Sequence, residues 1–114
     1  MIVIFKYIIP KSYCGLTIYP FIFLKNNLLK EDPFLINHEN IHLKQQKELF
    51  WILFLIWYFL EYSVKLVQYK NHHKAYKNIS FEKEAYNNEG NLNYLIERKR
   101  FNFITYFNSL DENN

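Results

Sequence analysis

Residues 32–42 read Asp32-Pro33-Phe34-Leu35-Ile36-Asn37-His38-Glu39-Asn40-Ile41-His42. Asp32 followed by Pro33 is a helix start. The Asp side chain can accept from the first free amides, and Pro fits the first helical position, where no N–H is needed. The helix then carries His38 and His42 one turn apart on a single face. Two neutral imidazoles aimed at one point are half of a tetrahedral metal site. Glu39 lies one step round the helix, beside such a metal and not on it. A carboxylate there can act as general base toward a water whose pKa the metal pulls down to ~7. The residue types and spacing are HExxH, the working parts of a zinc hydrolase. In a chain with 4 His among 114 residues, such a match arises by chance roughly once in a hundred.

Downstream, Gln45, Gln46 and Leu49 continue the face of His38 and His42, and nothing breaks the helical pattern before about Asn71. A helix of about 40 residues would be roughly 55 Å long. A domain of this size has a diameter nearer ~35 Å, so the helix must bend, break, protrude or enter something else. Residues 49–60 read LFWILFLIWYFL. A helix apolar all round is buried or in lipid, and this segment falls short of the ~20 residues that span a bilayer. The expectation is a buried core helix. Trp51, Trp57 and Tyr58 suit a membrane interface, which keeps monotopic attachment as the alternative.

Residues 2–9 and 16–24 are rich in Ile, Phe and Tyr and read as short strands. Residues 11–15 between them read as a turn, giving an N-terminal β-hairpin. Pro20 within the second strand demands an edge or a bulge. Residues 71–74 read as a loop. A second helix starts at Ser80 as N-cap and runs from Phe81 to about Arg98, weakened by up to ~1 kcal/mol at Gly90. Residues 101–110 form a last short helix or strand, and 111–114 a frayed tail. The reading is one domain over 1–110, α+β and mainly helical.

With 50% hydrophobic and 20% aromatic residues, the chain is not a disordered one. The net charge of +3 is mild. Lys65, Lys70, Lys74 and Lys77 form one basic group, and Arg98, Lys99 and Arg100 another. No nucleic-acid motif accompanies them, so the expectation is a solvated surface or one facing anionic lipid, with no nucleic acid as partner. Cys14 is the single cysteine, which excludes an intrachain disulfide and a Cys-based zinc site. The apolar start is interrupted at Lys6 and lacks a cleavage site, making a poor signal peptide. A cytoplasmic or membrane-associated location is expected.

Two His need a third protein ligand to make a catalytic zinc site. Glu48, six residues after His42, occupies the third-ligand position of the metzincin arrangement. That arrangement needs a sharp turn at position 45, where this chain has Gln45 in what reads as a continuous helix, so Glu48 is rejected. The second helix offers Glu82 and Glu84. Two residues apart, they point to nearly opposite faces, so at most one meets the site. Ala85 shares the face of Glu82, and a small residue there lets the two helices approach. Glu82 is therefore the expected third ligand.

An HExxH helix followed by a helix with Glu82-x-x-Ala85 resembles the gluzincin metallopeptidases: the minigluzincin, CAAX-prenyl-endopeptidase and BlaR-type sensor peptidase classes. The resemblance rests on about ten residues within 33–90. It implies a zincin-like fold, one Zn2+ held by His38, His42 and Glu82, and Glu39 as general base. The family has Asp after the Ala, supporting a ligand His; here Tyr86 stands there, and Tyr86 or Gln46 is the candidate substitute. His72, His73, Tyr76 and Tyr86 are candidate donors to the oxyanion, and the sequence does not choose between them. The edge of residues 16–24 is the candidate for holding a substrate backbone. The expected function is a zinc-dependent metallopeptidase acting on a peptide or protein, with a membrane surface as a further candidate partner. The other class the residues admit is a non-catalytic zinc-binding or membrane-associated interaction module on a degenerate peptidase fold.

Overall fold

The computed structural model describes residues 2–4 and 15–107. Its sheet has three short strands, β1 (Ile2–Ile4), β2 (Gly15–Ile18) and β3 (Phe21–Leu24), in the order β1-β3-β2. The expected hairpin between residues 2–9 and 16–24 is not formed, and a different one takes its place. It lies wholly within residues 15–24, where β2 and β3 pair antiparallel across Tyr19-Pro20. Pro20 sits in the turn, where its missing N–H removes no ladder bond. β1 pairs with β3 in parallel, Ile2 opposite Ile22, so the first and second segments are not hairpin partners. Residues 5–14, including most of the expected turn, and the tail at 111–114 lie outside the described residues.

After a 3-10 turn at Asn27–Glu31, helix α1 runs Pro33–Glu48. Its start is the one read from the sequence: Asp32 Oδ1 accepts from Phe34 N and Leu35 N at 3.0 and 3.2 Å. Its end is not. The chain breaks at residues 49–51, and helix α2 runs Ile52–Tyr69. Phe50 and Trp51 both adopt positive φ, 55° and 45°, a region that costs L-residues roughly 1–2 kcal/mol each. Burial of Leu49 with Phe54 and Phe81 favours the break, as does the capture of Glu48 by Arg98. The break also lets the chain fold within 36 × 32 × 26 Å.

Residues 71–74 are not a loop. Asn71 caps a short helix α3 (His72–Lys77), accepting from Lys74 N at 3.0 Å. The expected second helix divides into α4 (Ser80–Asn88) and α5 (Tyr94–Glu97), with Gly90 in the gap. A 3-10 turn at Asn102–Tyr106 follows. The molecule is mainly helical with a small three-stranded sheet, an α+β arrangement.

One core cluster gathers Leu49, Phe54, Ile79, Phe81 and Phe103, with the Phe81 ring tilted against those of Phe54 and Phe103 at centroid distances of 4.3 and 4.5 Å. A second packs Ile41 of α1 on Ala85 of α4. Both side chains are fully buried, which is the close approach that a small residue at 85 permits. The same two helices are clamped by charge. Arg98 Nη2 donates to Glu84 Oε1 at 3.1 Å and its Nε donates to Glu84 Oε2, while Nη1 reaches Glu48 Oε2 at 2.7 Å. Glu48 also accepts from Phe101 N at 3.0 Å.

The α2 segment departs from the core expectation. Among residues 52–69 only Phe54 and Glu61 are buried, and most of its large apolar side chains face outward.

Removing Arg98 leaves two buried carboxylates without their cation, which typically costs 3–5 kcal/mol, on the order of that magnitude here. Arg98→Met should lower the urea midpoint of unfolding accordingly, followed by circular dichroism. An unchanged midpoint would refute the clamp.

Candidate metal centre

α1 and α4 bring His38, His42 and Glu82 together at the floor of a cleft, and all three are buried. His42 Nε2 lies 3.2 Å from His38 Nε2 and 3.0 Å from Glu82 Oε1, and His38 Nε2 lies 3.5 Å from the same oxygen. Ligand atoms placed tetrahedrally at about 2.0–2.1 Å from a common centre are separated by about 3.3 Å. Two imidazole nitrogens and a carboxylate oxygen at these separations can hold a metal ion. Glu84 faces the other way, onto Arg98, as its two-residue offset from Glu82 requires.

Each ligand is held by a further group. Glu89 Oε1 accepts from His38 Nδ1 at 2.7 Å, and Gln45 Oε1 accepts from His42 Nδ1 at 2.8 Å. These bonds put the ring hydrogens on Nδ1 and leave both Nε2 atoms for the centre. Gln45 is itself anchored, donating to Glu84 Oε1 at 2.9 Å and Phe81 O at 3.1 Å. Tyr58 Oη donates to Glu82 Oε2 at 2.7 Å, so that Oε1 is the oxygen turned to the histidines. Asn37, next to His38 in sequence, donates to the carbonyls of Asn88, Glu89 and Asn91. It fastens the end of α4 where Glu89 must stand.

Glu39 is buried beside the ligands and lines the cleft. Thr17 of β2 donates to Glu39 Oε1 at 2.7 Å. Gly15 makes this approach possible, because a Cβ there would lie 3.1 Å from Glu39 Oε2. The cleft has a volume of about 610 Å³ and is walled by β2 on one side and by α2 and α3 on the other.

The remaining predicted residues divide. Tyr76 and His72 line the cleft; His73 does not. Tyr86 packs edge-on against the His38 ring at 4.5 Å, and its hydroxyl meets that of Tyr76 at 3.1 Å. It supports no ligand nitrogen. Gln46 also fails as the ligand support: it accepts from Tyr19 N at 2.6 Å and donates to Thr17 O at 2.7 Å. The place expected for Tyr86 or Gln46 belongs to Glu89. Glu89 follows Glu82 by seven residues, two helical turns, which was the available signal. β2 is an edge strand, but Gln46 takes its Thr17 carbonyl and Tyr19 amide as a neighbouring strand would. Glu48 is absent from the centre: α1 is continuous from His42 through Gln45 to Glu48, as expected, and Arg98 holds its carboxylate elsewhere.

Electrostatics match the donor set. Burial alone would lower both imidazole pKa values, but Glu82 overrides it; with Glu89 it raises His38 to about 10, and it raises His42 as well. Burial would raise Glu82, yet the paired imidazoles hold it well below the carboxylate range. Without a metal the two imidazoles and the Glu82 carboxylate are a buried ion pair, with the imidazoles held toward their protonated forms and the carboxyl toward its ionised one. The comparisons with protein-family models, curated proteins and solved structures return no match.

Two outcomes follow. His38 is protonated at neutral pH in the metal-free protein, so a cation must displace that proton. Affinity for cobalt(II), read from its absorption, should rise by about tenfold per pH unit between roughly pH 6 and 8. The metal-free ion pair has the opposite sign: its stabilisation is complete below about 6.5 and is lost as pH rises through about 10. A flat cobalt affinity would contradict the protonated centre. Separately, Glu89→Ala should weaken cobalt binding about 10- to 100-fold while leaving the helical circular dichroism intact; equal affinity would remove Glu89 from the site.

Proposed function

We propose that this protein is a zinc-dependent metallopeptidase of the gluzincin kind on a zincin-like fold. The observation that carries the reading is Glu39. A metal site that only binds needs no third acidic group, yet Glu39 is buried next to the ligands, fixed by Thr17, and turned to the cleft. The His2Glu donor set suits zinc, being borderline-soft and closed on three sides with room for a fourth ligand. Held by His38, His42 and Glu82, zinc would supply Lewis acidity to a scissile carbonyl and to the attacking water.

The chain's own residues do the rest. Glu39 takes the proton of the water and returns it to the leaving amine. Thr17 holds one oxygen of Glu39 and leaves the other to act. Tyr76 is the donor for charge developing on the carbonyl oxygen. Burial, and then the Glu82 charge, raise its phenol far above neutrality, so it keeps its hydrogen to donate. The substrate is gripped through side chains, since Gln46 occupies much of the β2 edge. Leu16, Ile18, Phe54 and Phe59 give the cleft an apolar lining, which fits a peptide with a bulky apolar residue near the cut bond. The support that Glu89 gives His38 stands where the family's Asp is missing, and it favours catalysis over the degenerate-module reading.

The test compares zinc content and peptide hydrolysis for the wild type, Glu39→Gln and Glu82→Ala. Glu39→Gln should keep zinc and lose hydrolysis by at least about 100-fold. Glu82→Ala should lose zinc itself. Wild type that holds zinc and cleaves nothing across a broad peptide library would end the peptidase reading, and wild type without zinc would end both.

A further inference from the structure

Helix α2 is amphipathic in the wrong direction for water. At about 100° per residue, Phe54, Trp57, Tyr58, Glu61, Tyr62 and Lys65 fall on one half of its circumference. This half faces the domain, and its polar groups are bonded there. Tyr58 reaches Glu82, Tyr62 Oη meets His72 Nδ1 at 2.7 Å, and Glu61 accepts from Ser80 N at 2.9 Å and from the Ser80 hydroxyl. The other half carries Ile52, Leu53, Ile56, Phe59, Leu60 and Val64, each between 52 and 67% exposed. Over residues 52–67 its only polar member is Ser63. At roughly 100 Å² apiece these six residues alone expose about 600 Å², the upper end of what a soluble monomer shows. Phe50 and Val67, each 77% exposed, extend the patch at both ends.

We propose that the outward half of α2 lies in the interfacial plane of a lipid bilayer, with its axis parallel to the membrane. Three observations select lipid as the occupant. The helix has the length and hydropathy of a membrane segment, with 11% of its residues buried in the domain. Its charged member at the centre, Glu61, is turned inward, so that nothing charged meets the hydrocarbon. Trp51 at its start is an aromatic of the kind that settles at headgroup level, and Lys70 and Lys74 at its end complement anionic headgroups. A span across the bilayer is disfavoured by the inner half, because Tyr58, Glu61 and Tyr62 tie α2 to the domain along its length. A second copy of the chain on this face is disfavoured by Leu55 and Phe59. Both are exposed and both line the cleft, so a rigid protein partner would close it, whereas a fluid surface leaves it reachable. The choice of lipid over a second copy rests on the proposed function, which needs the cleft reachable; the exposed apolar half and the inward Glu61 do not.

The experiment is flotation of the purified full chain with vesicles of phosphatidylcholine and phosphatidylglycerol, with tryptophan quenching by lipids brominated at shallow and deep positions. The expected result is co-flotation and quenching that is stronger from the shallow position. The double variant Ile56→Asp, Leu60→Asp, on the outward half, should lose partitioning by about tenfold or more while keeping its helical circular dichroism and cobalt(II) binding. Stronger quenching from the deep position would overturn the in-plane placement. Absence of flotation would overturn the proposal altogether. Without flotation, a wild type that sediments as a dimer and a variant that sediments as a monomer would assign the face to a second copy.

Discussion

A buried carboxylate needs hydrogen bonds or an opposite charge to offset its lost hydration, and α4 buries two that are met by charge, Glu82 and Glu84, on opposite sides. Most of the structure follows from how each is met. Glu84 is met by Arg98, which also holds Glu48 at the end of α1, so α1 and α4 are locked in one register. Glu82 is met by His38 and His42, which that register brings opposite it. Gln45 joins the two sides, bonded to His42 Nδ1 through its oxygen and to Glu84 through its nitrogen. The structural ion pair and the candidate metal centre are thus one hydrogen-bonded system.

The walls of the cleft have double duties. β2 presents apolar side chains to it, while Thr17 orients Glu39 and Gln46 closes the backbone edge. α2 sends Tyr58 inward to Glu82 and turns its opposite half to the outside. The approach of β2 depends on Gly15, since a side chain there would push directly on the Glu39 carboxylate. A chain of 114 residues has little to spare. Here the elements that build the site also carry the surface by which the protein meets its surroundings.

Much of this was legible in the residues. The start of α1 could be read because capping by Asp32 and Pro33 is local chemistry. The pairing of His38 with His42, and the fact that only one of Glu82 and Glu84 can face them, could be read because helical periodicity places side chains without knowledge of the fold; Ala85 on its face singled out Glu82. Ala85 signalled the close helix contact. Other features were illegible for stated reasons. The break at residues 49–51 contains no Gly or Pro; two bulky residues take positive φ because tertiary contacts of Leu49 and Glu48 outweigh the local strain. The strand pairing was misassigned because a run of β-formers does not say which run it pairs with, or in which direction.

The sequence by itself determined the chemistry available: two imidazoles and an acid at fixed helical spacing, a second acid with a small neighbour, and an apolar segment too uniform to orient. Only the tertiary structure decided which groups serve that chemistry. It placed Glu89 on His38, Gln45 on His42, Tyr58 on Glu82 and Thr17 on Glu39, and it turned the apolar half of α2 outward. The physical reason is range. Helical geometry carries information over three or four residues, and by repetition over seven. The bonds that orient the site link residues 22 to 51 positions apart in all but one case, Gln45 with His42, and those depend on how whole elements pack.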